Sequence, residues 1–78
     1  MNILVLNGPN LNLLGTREPE IYGYTTLEDI NNNLVRNYPQ VNITFKQSNS
    51  ESELITWIGD SPKNFSGILI NPAALTHT

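Results

Sequence analysis

The sequence predicts an α/β domain, the β-α-β-α-β portion of a doubly wound parallel sheet, on three grounds. The run Ile3-Leu4-Val5-Leu6 is apolar without alternation, the pattern of a strand covered on both faces. Two helix-start signals, Thr25-x-x-Glu28 and Ser50-x-x-Glu53, each precede apolar residues at helical spacing. A short run of strand character follows each of these helical segments, so strands and helices alternate along the chain.

Taken in order, Ile3 to Leu6 is the first and central strand. It leads into a loop from Asn7 to Gly23, longer than most connections in compact domains and therefore read as a binding loop or lid. Open α/β sheets bind ligands at the carboxyl ends of their strands, where this loop lies. Gly8-Pro9 and Gly15 shape its backbone, Asn10 and Asn12 offer amide groups, Arg17 is a fixed cation and Tyr22 a phenol. Leu27, Ile30, Leu34 and Tyr38 mark the inner stripe of a helix that ends near Asn37, ahead of Pro39. Val41 to Phe45 alternates and is rich in β-branched and aromatic residues, a second strand nearer an edge, closed by polar Lys46 to Asn49. Leu54, Ile55, Trp57 and Ile58 supply a short helix that stops at Gly59 to Pro62. Gly67 to Ile70 is the third strand, and Asn71 opens a second carboxyl-end loop. Right-handed crossovers put the first and third strands side by side, with a cleft expected between the loops that start at Asn7 and Asn71.

Composition narrows the function classes. A chain of 78 residues makes one domain at most, since small domains bury a smaller share of their surface. With 38% hydrophobic residues and a net charge of -3 it is neither disordered nor basic enough to bind nucleic acid. Having no cysteine, it has no disulfide, thiolate metal ligand or cysteine nucleophile. Met1-Asn2-Ile3-Leu4 enters a strand at once without a basic lead, and no run has membrane-spanning length, so a cytoplasmic location is expected.

Several motifs have bland readings that compete with chemical ones. Gly8 and Gly15 belong to no G-x-G-x-x-G or Gly-Lys-Ser/Thr pattern, which argues against a dinucleotide or P-loop site. His77 is the single histidine and has no partner at metal-ligand spacing. Ser48, Ser50 and Ser52 lie between a strand and a helix, where turn and cap duty explains them. Trp57 reads as helix core. Tyr22 and Tyr24 are each either a candidate general base or a loop anchor. Arg17 either lowers the pKa of such a phenol or pairs with Glu18 or Glu20, and Asn71 and His77 either line the cleft or cap loop backbone. The residues alone thus reach a polar cleft and leave its reaction open.

Longer patterns carry a resemblance. The run Ile3 to Gly15, then Arg17-Glu18-Pro19-x-x-Tyr22-Gly23, Gln47-Ser48-Asn49 with Glu53-Leu54, and Ile70-Asn71-Pro72 with Thr76-His77-Thr78 closely resemble type II 3-dehydroquinase, colinearly over the whole chain. The resemblance implies a flavodoxin-like fold and dehydration of 3-dehydroquinate to 3-dehydroshikimate in the shikimate pathway. It implies neither metal nor organic cofactor, and a homo-oligomer, a dodecamer of trimers. Carried over by residue, it makes Tyr22 the base that takes the proton α to the ketone, Arg17 the cation that favours its phenolate, and Asn10 the holder of a water at the developing enolate oxygen. A free tyrosine has a pKa of about 10, so a neighbouring cation brings it toward the operating pH. Asn71 and His77 match substrate-binding positions. The family's leaving-group acid, a histidine with its supporting glutamate, and its carboxylate-binding arginines fall beyond Thr78, so residues 1–78 read as the amino-terminal part of a longer catalytic domain. Ser50 stands where many relatives have histidine. A non-catalytic flavodoxin-like binding or assembly module is the alternative. Glycines near both ends of the Leu11 to Tyr24 segment make it an expected lid.

Overall fold

The computed structural model describes residues 1–15 and 23–73. Within them a three-stranded parallel sheet has β1 (Asn2–Asn7) at its centre, flanked by β2 (Asn42–Gln47) and β3 (Gly67–Asn71). Helix α1 (Leu27–Asn37) joins β1 to β2, and α2 (Glu51–Asp60), followed by a 3-10 turn at Ser61–Lys63, joins β2 to β3. The strand order β2-β1-β3 is that of a doubly wound sheet, with β1 central as its unbroken apolar run requires.

Register explains which face each helix covers. Leu4 pairs with Thr44 and Ile68, while Val5 pairs with Phe45 and Leu69, so alternate layers face opposite sides. On one face Leu4 and Leu6 meet Leu54 of α2, with Trp57, Phe65 and Ile68 packed around them. On the other, Ile3, Val5, Ile43 and Leu69 line a groove with Leu34 and Tyr38 from the α1 side. The first crossover runs from β1 out to β2 and the second runs back from β2 past β1 to β3, and crossovers of one hand running in opposite directions put their helices on opposite faces. Leu4 and Leu6 are each only 1% exposed, whereas no residue of α1 is buried. The α2 face therefore holds the tighter core.

Three local features differ from expectation. The first capping box starts at Thr26, not Thr25: the Thr26 hydroxyl accepts from the Asp29 N–H at 3.1 Å, and Asp29 Oδ2 accepts from the Thr26 N–H at 3.0 Å. Both threonines satisfy the sequence pattern. Backbone decides between them, because helical conformation starts at Leu27 and Thr26, extended at φ -89 and ψ 167, is the residue that flanks it. The second box is half formed. Ser50 accepts from the Glu53 N–H at 3.3 Å, but the Ser50 N–H donates to Ser48 Oγ at 2.9 Å, leaving Glu53 no backbone amide to receive there. Finally, β2 runs on through Lys46 and Gln47, since pairing with Leu6 and Asn7 is made by backbone whatever the side chains. Lys46 keeps its ammonium 4.9 Å from the centroid of the Trp57 ring, which adds a cation–π contact to that tryptophan's core role.

Candidate active site

All three strands end at the same edge of the sheet, and their carboxyl ends converge on Gly8. Its N–H donates to the Asn71 carbonyl at 2.8 Å, joining β1 to β3. Its carbonyl accepts from Gln47 Nε2 at 3.2 Å, joining β1 to β2. A Cβ at this position would lie 2.5 Å from the Pro72 carbonyl oxygen, closer than real Cβ contacts come, so the junction needs glycine. Beside it, the buried Asn7 presents its carbonyl to the Ser48 N–H at 3.0 Å. The loops after Asn7 and Asn71 thus stand side by side as expected, but their roots are bonded directly rather than separated by a cleft. The opening lies to one side. A groove on the α1 face is lined by Asn7, Ile30, Asn31, Leu34, Ile70 and Asn71, with Asn31 Oδ1 buried and unpartnered among the described residues.

Two residues near this edge hold left-handed backbone without being glycine: Asn10 with φ 67 and Ala73 with φ 51. Such conformations cost of order 1–3 kcal/mol each and persist where surroundings enforce them. Here an asparagine side chain does so in both cases. Asn49 Oδ1 accepts from the Asn10 N–H at 3.0 Å, and Asn71 Oδ1 accepts from the Ala73 N–H at 3.3 Å. Asn49 Oδ1 also accepts from Gln47 Nε2 at 3.1 Å, so both amide hydrogens of Gln47 are used, one on Gly8 and one on Asn49. Immediately after Asn10 the chain makes a 3-10 turn, Leu11–Leu13, closed by the Leu13 N–H on the Asn10 carbonyl at 3.0 Å. The first part of the expected lid is therefore regular.

Of the residues assigned from sequence, Asn10 and Asn71 are both exposed at this edge. Among the described residues, no hydrogen bond engages the Asn10 side chain or Asn71 Nδ2, which leaves amide groups to meet a ligand. Asn71 Oδ1 is already committed to its own loop. Arg17, Tyr22 and His77, with residues 16–22 of the lid as a whole, lie outside the described residues. Tyr24, the alternative phenol, is 74% exposed. Gln47 and Asn49 had no role assigned from sequence. Their part is set by bonds from the end of β2 to the loop after β1, and the sequence signal for them was the Gln47-Ser48-Asn49 motif of the resemblance, which carried no role for either. Among the described residues there is no group of three or more His, Cys, Asp or Glu able to hold a metal ion, and no helix long and apolar enough to cross a membrane.

A central β1 in the order β2-β1-β3, with amide-bearing loops at the carboxyl edge, defines a flavodoxin-like α/β protein, a fold whose ligands bind at the switch point of the sheet. The family model described as Dehydroquinase class II matches residues 1–78, and the chain belongs to that family. It is 60% identical over 80 residues to the 3-dehydroquinate dehydratase of Prochlorococcus marinus strain MIT 9515, covering 100% of this chain and 55% of that protein. It is 57% identical over 79 residues to the 3-dehydroquinate dehydratase of Nitrosomonas eutropha, covering 97% of this chain and 54% of that one. The crystal structure of type II dehydroquinase from Butyrivibrio crossotus superposes with a TM-score of 0.87 at 42% identity, over 99% of this chain and 55% of that structure. The chain spans about 55% of the length of the curated relative from P. marinus.

Proposed function

We propose that residues 1–78 are the amino-terminal part of a 3-dehydroquinate dehydratase, a hydro-lyase that forms 3-dehydroshikimate in the shikimate pathway. The observation that carries this reading is the family match along the entire chain. In the proposed reaction the Tyr22 phenolate takes the α-proton and the C–H electron pair moves into an enolate. Collapse of the enolate expels the β-hydroxyl as water and leaves a conjugated enone. Arg17 keeps Tyr22 ionised, Asn10 holds a water dipole at the enolate oxygen, and Asn71 and His77 bind substrate. A dipole already in place stabilises charge that develops only during reaction. The leaving-group acid and the carboxylate-binding arginines come from sequence past Thr78, and the complete enzyme is a cytoplasmic dodecamer of trimers needing no metal or organic cofactor. The exposed Asn10 and Asn71, on adjoining loops, support the assignment of this edge.

Tyr22→Phe in a chain of the relatives' full length tests the base. Turnover should fall by about 10²–10⁴, the usual worth of a positioned base, while binding of substrate persists. Activity within a few-fold of the parent, about the scatter of ordinary substitutions, would move the base to another residue, Tyr24 first. Arg17→Ala should shift the ionisation of the base to higher pH, because the phenolate loses its stabilising cation. An unchanged pH–rate profile would reduce Arg17 to a structural part.

A further inference from the structure

We propose that Asn49 is a positioning residue of this site: its Oδ1, held by Gln47, takes the Asn10 amide and so sets the direction in which the Asn10 side chain leaves the backbone. Five observations carry it. Asn10 is a non-glycine residue at φ 67, ψ 0, a conformation it holds at a cost. Its N–H is bonded at 3.0 Å to Asn49 Oδ1, on a loop from a different strand. The same oxygen receives Gln47 Nε2 at 3.1 Å, and that amide's other hydrogen is on the Gly8 carbonyl at 3.2 Å. The Leu11 N–H shares that carbonyl at 3.4 Å. Gln47 is a strand residue in register with Asn7, so the clamp is anchored in the sheet rather than in another loop. Gly8, Gln47, Asn49 and Asn10 form one continuous path from the sheet to the residue that would meet the enolate.

This inference rests on the proposed role of Asn10, and the chemistry of the clamp gives it a specific signature. Asn49 is used as an acceptor in both of its bonds, so an aspartate should replace it, while leucine, of nearly the same shape, should not. The test compares Asn49→Leu and Asn49→Asp in a chain of the relatives' full length, reading turnover and hydrogen exchange at the Asn10 amide. In Asn49→Leu the Asn10 amide should lose protection and kcat should fall by about 10–100-fold, the effect of misplacing a reacting group by an ångström. KM should change by no more than about threefold, since the dipole acts on charge that appears in the transition state. Asn49→Asp should restore both protection and kcat. Loss of protection without loss of kcat, or equal kcat losses in both variants, would overturn the positioning role. An unprotected Asn10 amide in the parent would overturn the clamp itself. A parent that lacks dehydratase activity would overturn the proposed function, and exchange would still decide the clamp.

Discussion

At Gly8 a hydrogen atom stands where any other residue would place carbon, and three strand ends depend on the difference. The Pro72 carbonyl oxygen, 2.5 Å from that missing Cβ, is backbone and cannot swing aside as a side chain does. Gly8→Ala should therefore force the β1 and β3 ends apart and cost about 1–3 kcal/mol, the range for overpacking, seen as a lowered urea midpoint with the slope unchanged. A midpoint equal to the parent's would mean that the two loops part freely. Gln47 offers a second test, because its two amide hydrogens face two oxygens. Gln47→Glu puts a carboxylate against both, so its folded-state pKa is raised above the unfolded value. Stability should drop at neutral pH and be partly regained as the pH falls and the carboxyl protonates. A loss independent of pH would point to packing instead. Neither residue announces this role in sequence. Gly8 looks like turn punctuation until Pro72, from the far end of the chain, is folded against it.

The existence and order of the elements were legible because each rests on a local pattern. Ile3 to Leu6 reads as a covered strand, and Leu27, Ile30 and Leu34 recur as a helix stripe wherever the rest of the chain goes. Boundaries were less legible, because tertiary contacts choose among equivalent local signals. Thr25 and Thr26 each sit three residues before an acid, and the start of the helix at Leu27 makes Thr26 the cap. The choice can be weighed directly. Thr26→Ala should cost about 1 kcal/mol by removing the hydroxyl that receives the Asp29 amide, and Thr25→Ala only a few tenths. Equal losses from thermal melting of the two variants would refute the cap assignment. At α2 the same reasoning separates Ser50 from Glu53. Ser50→Ala loses a cap bond, while Glu53→Ala removes a side chain that makes no reciprocal one, so only the first should be felt.

At the scale of the whole sheet, cover thins from the central strand toward the end of β3. Val5 and Leu6 of β1 are 6% and 1% exposed, but their register partners on β3, Leu69 and Ile70, are 55% and 47% exposed, one on each face. Of β3 only the amino-terminal half is packed, through Ile68 against the α2 face, and its outer edge carries no partner strand among the described residues. An apolar edge of this kind pairs readily with other chains, and an exposed apolar surface on both faces adds to the drive. A small domain has little stability in reserve, so association competes with folding on even terms. The 78-residue polypeptide on its own should then sediment as associated species above its 8.7 kDa mass and bind an apolar dye. Replacing Leu69 and Ile70 together by threonine keeps β propensity while removing apolar surface, and should reduce both signals. Supplying the remaining length of a relative should abolish them, because that length is where the proposed function puts the rest of the catalytic domain. A compact, dye-silent monomer of residues 1–78 would show that the β3 edge needs no cover, and would set aside the reading of this chain as part of a larger catalytic unit.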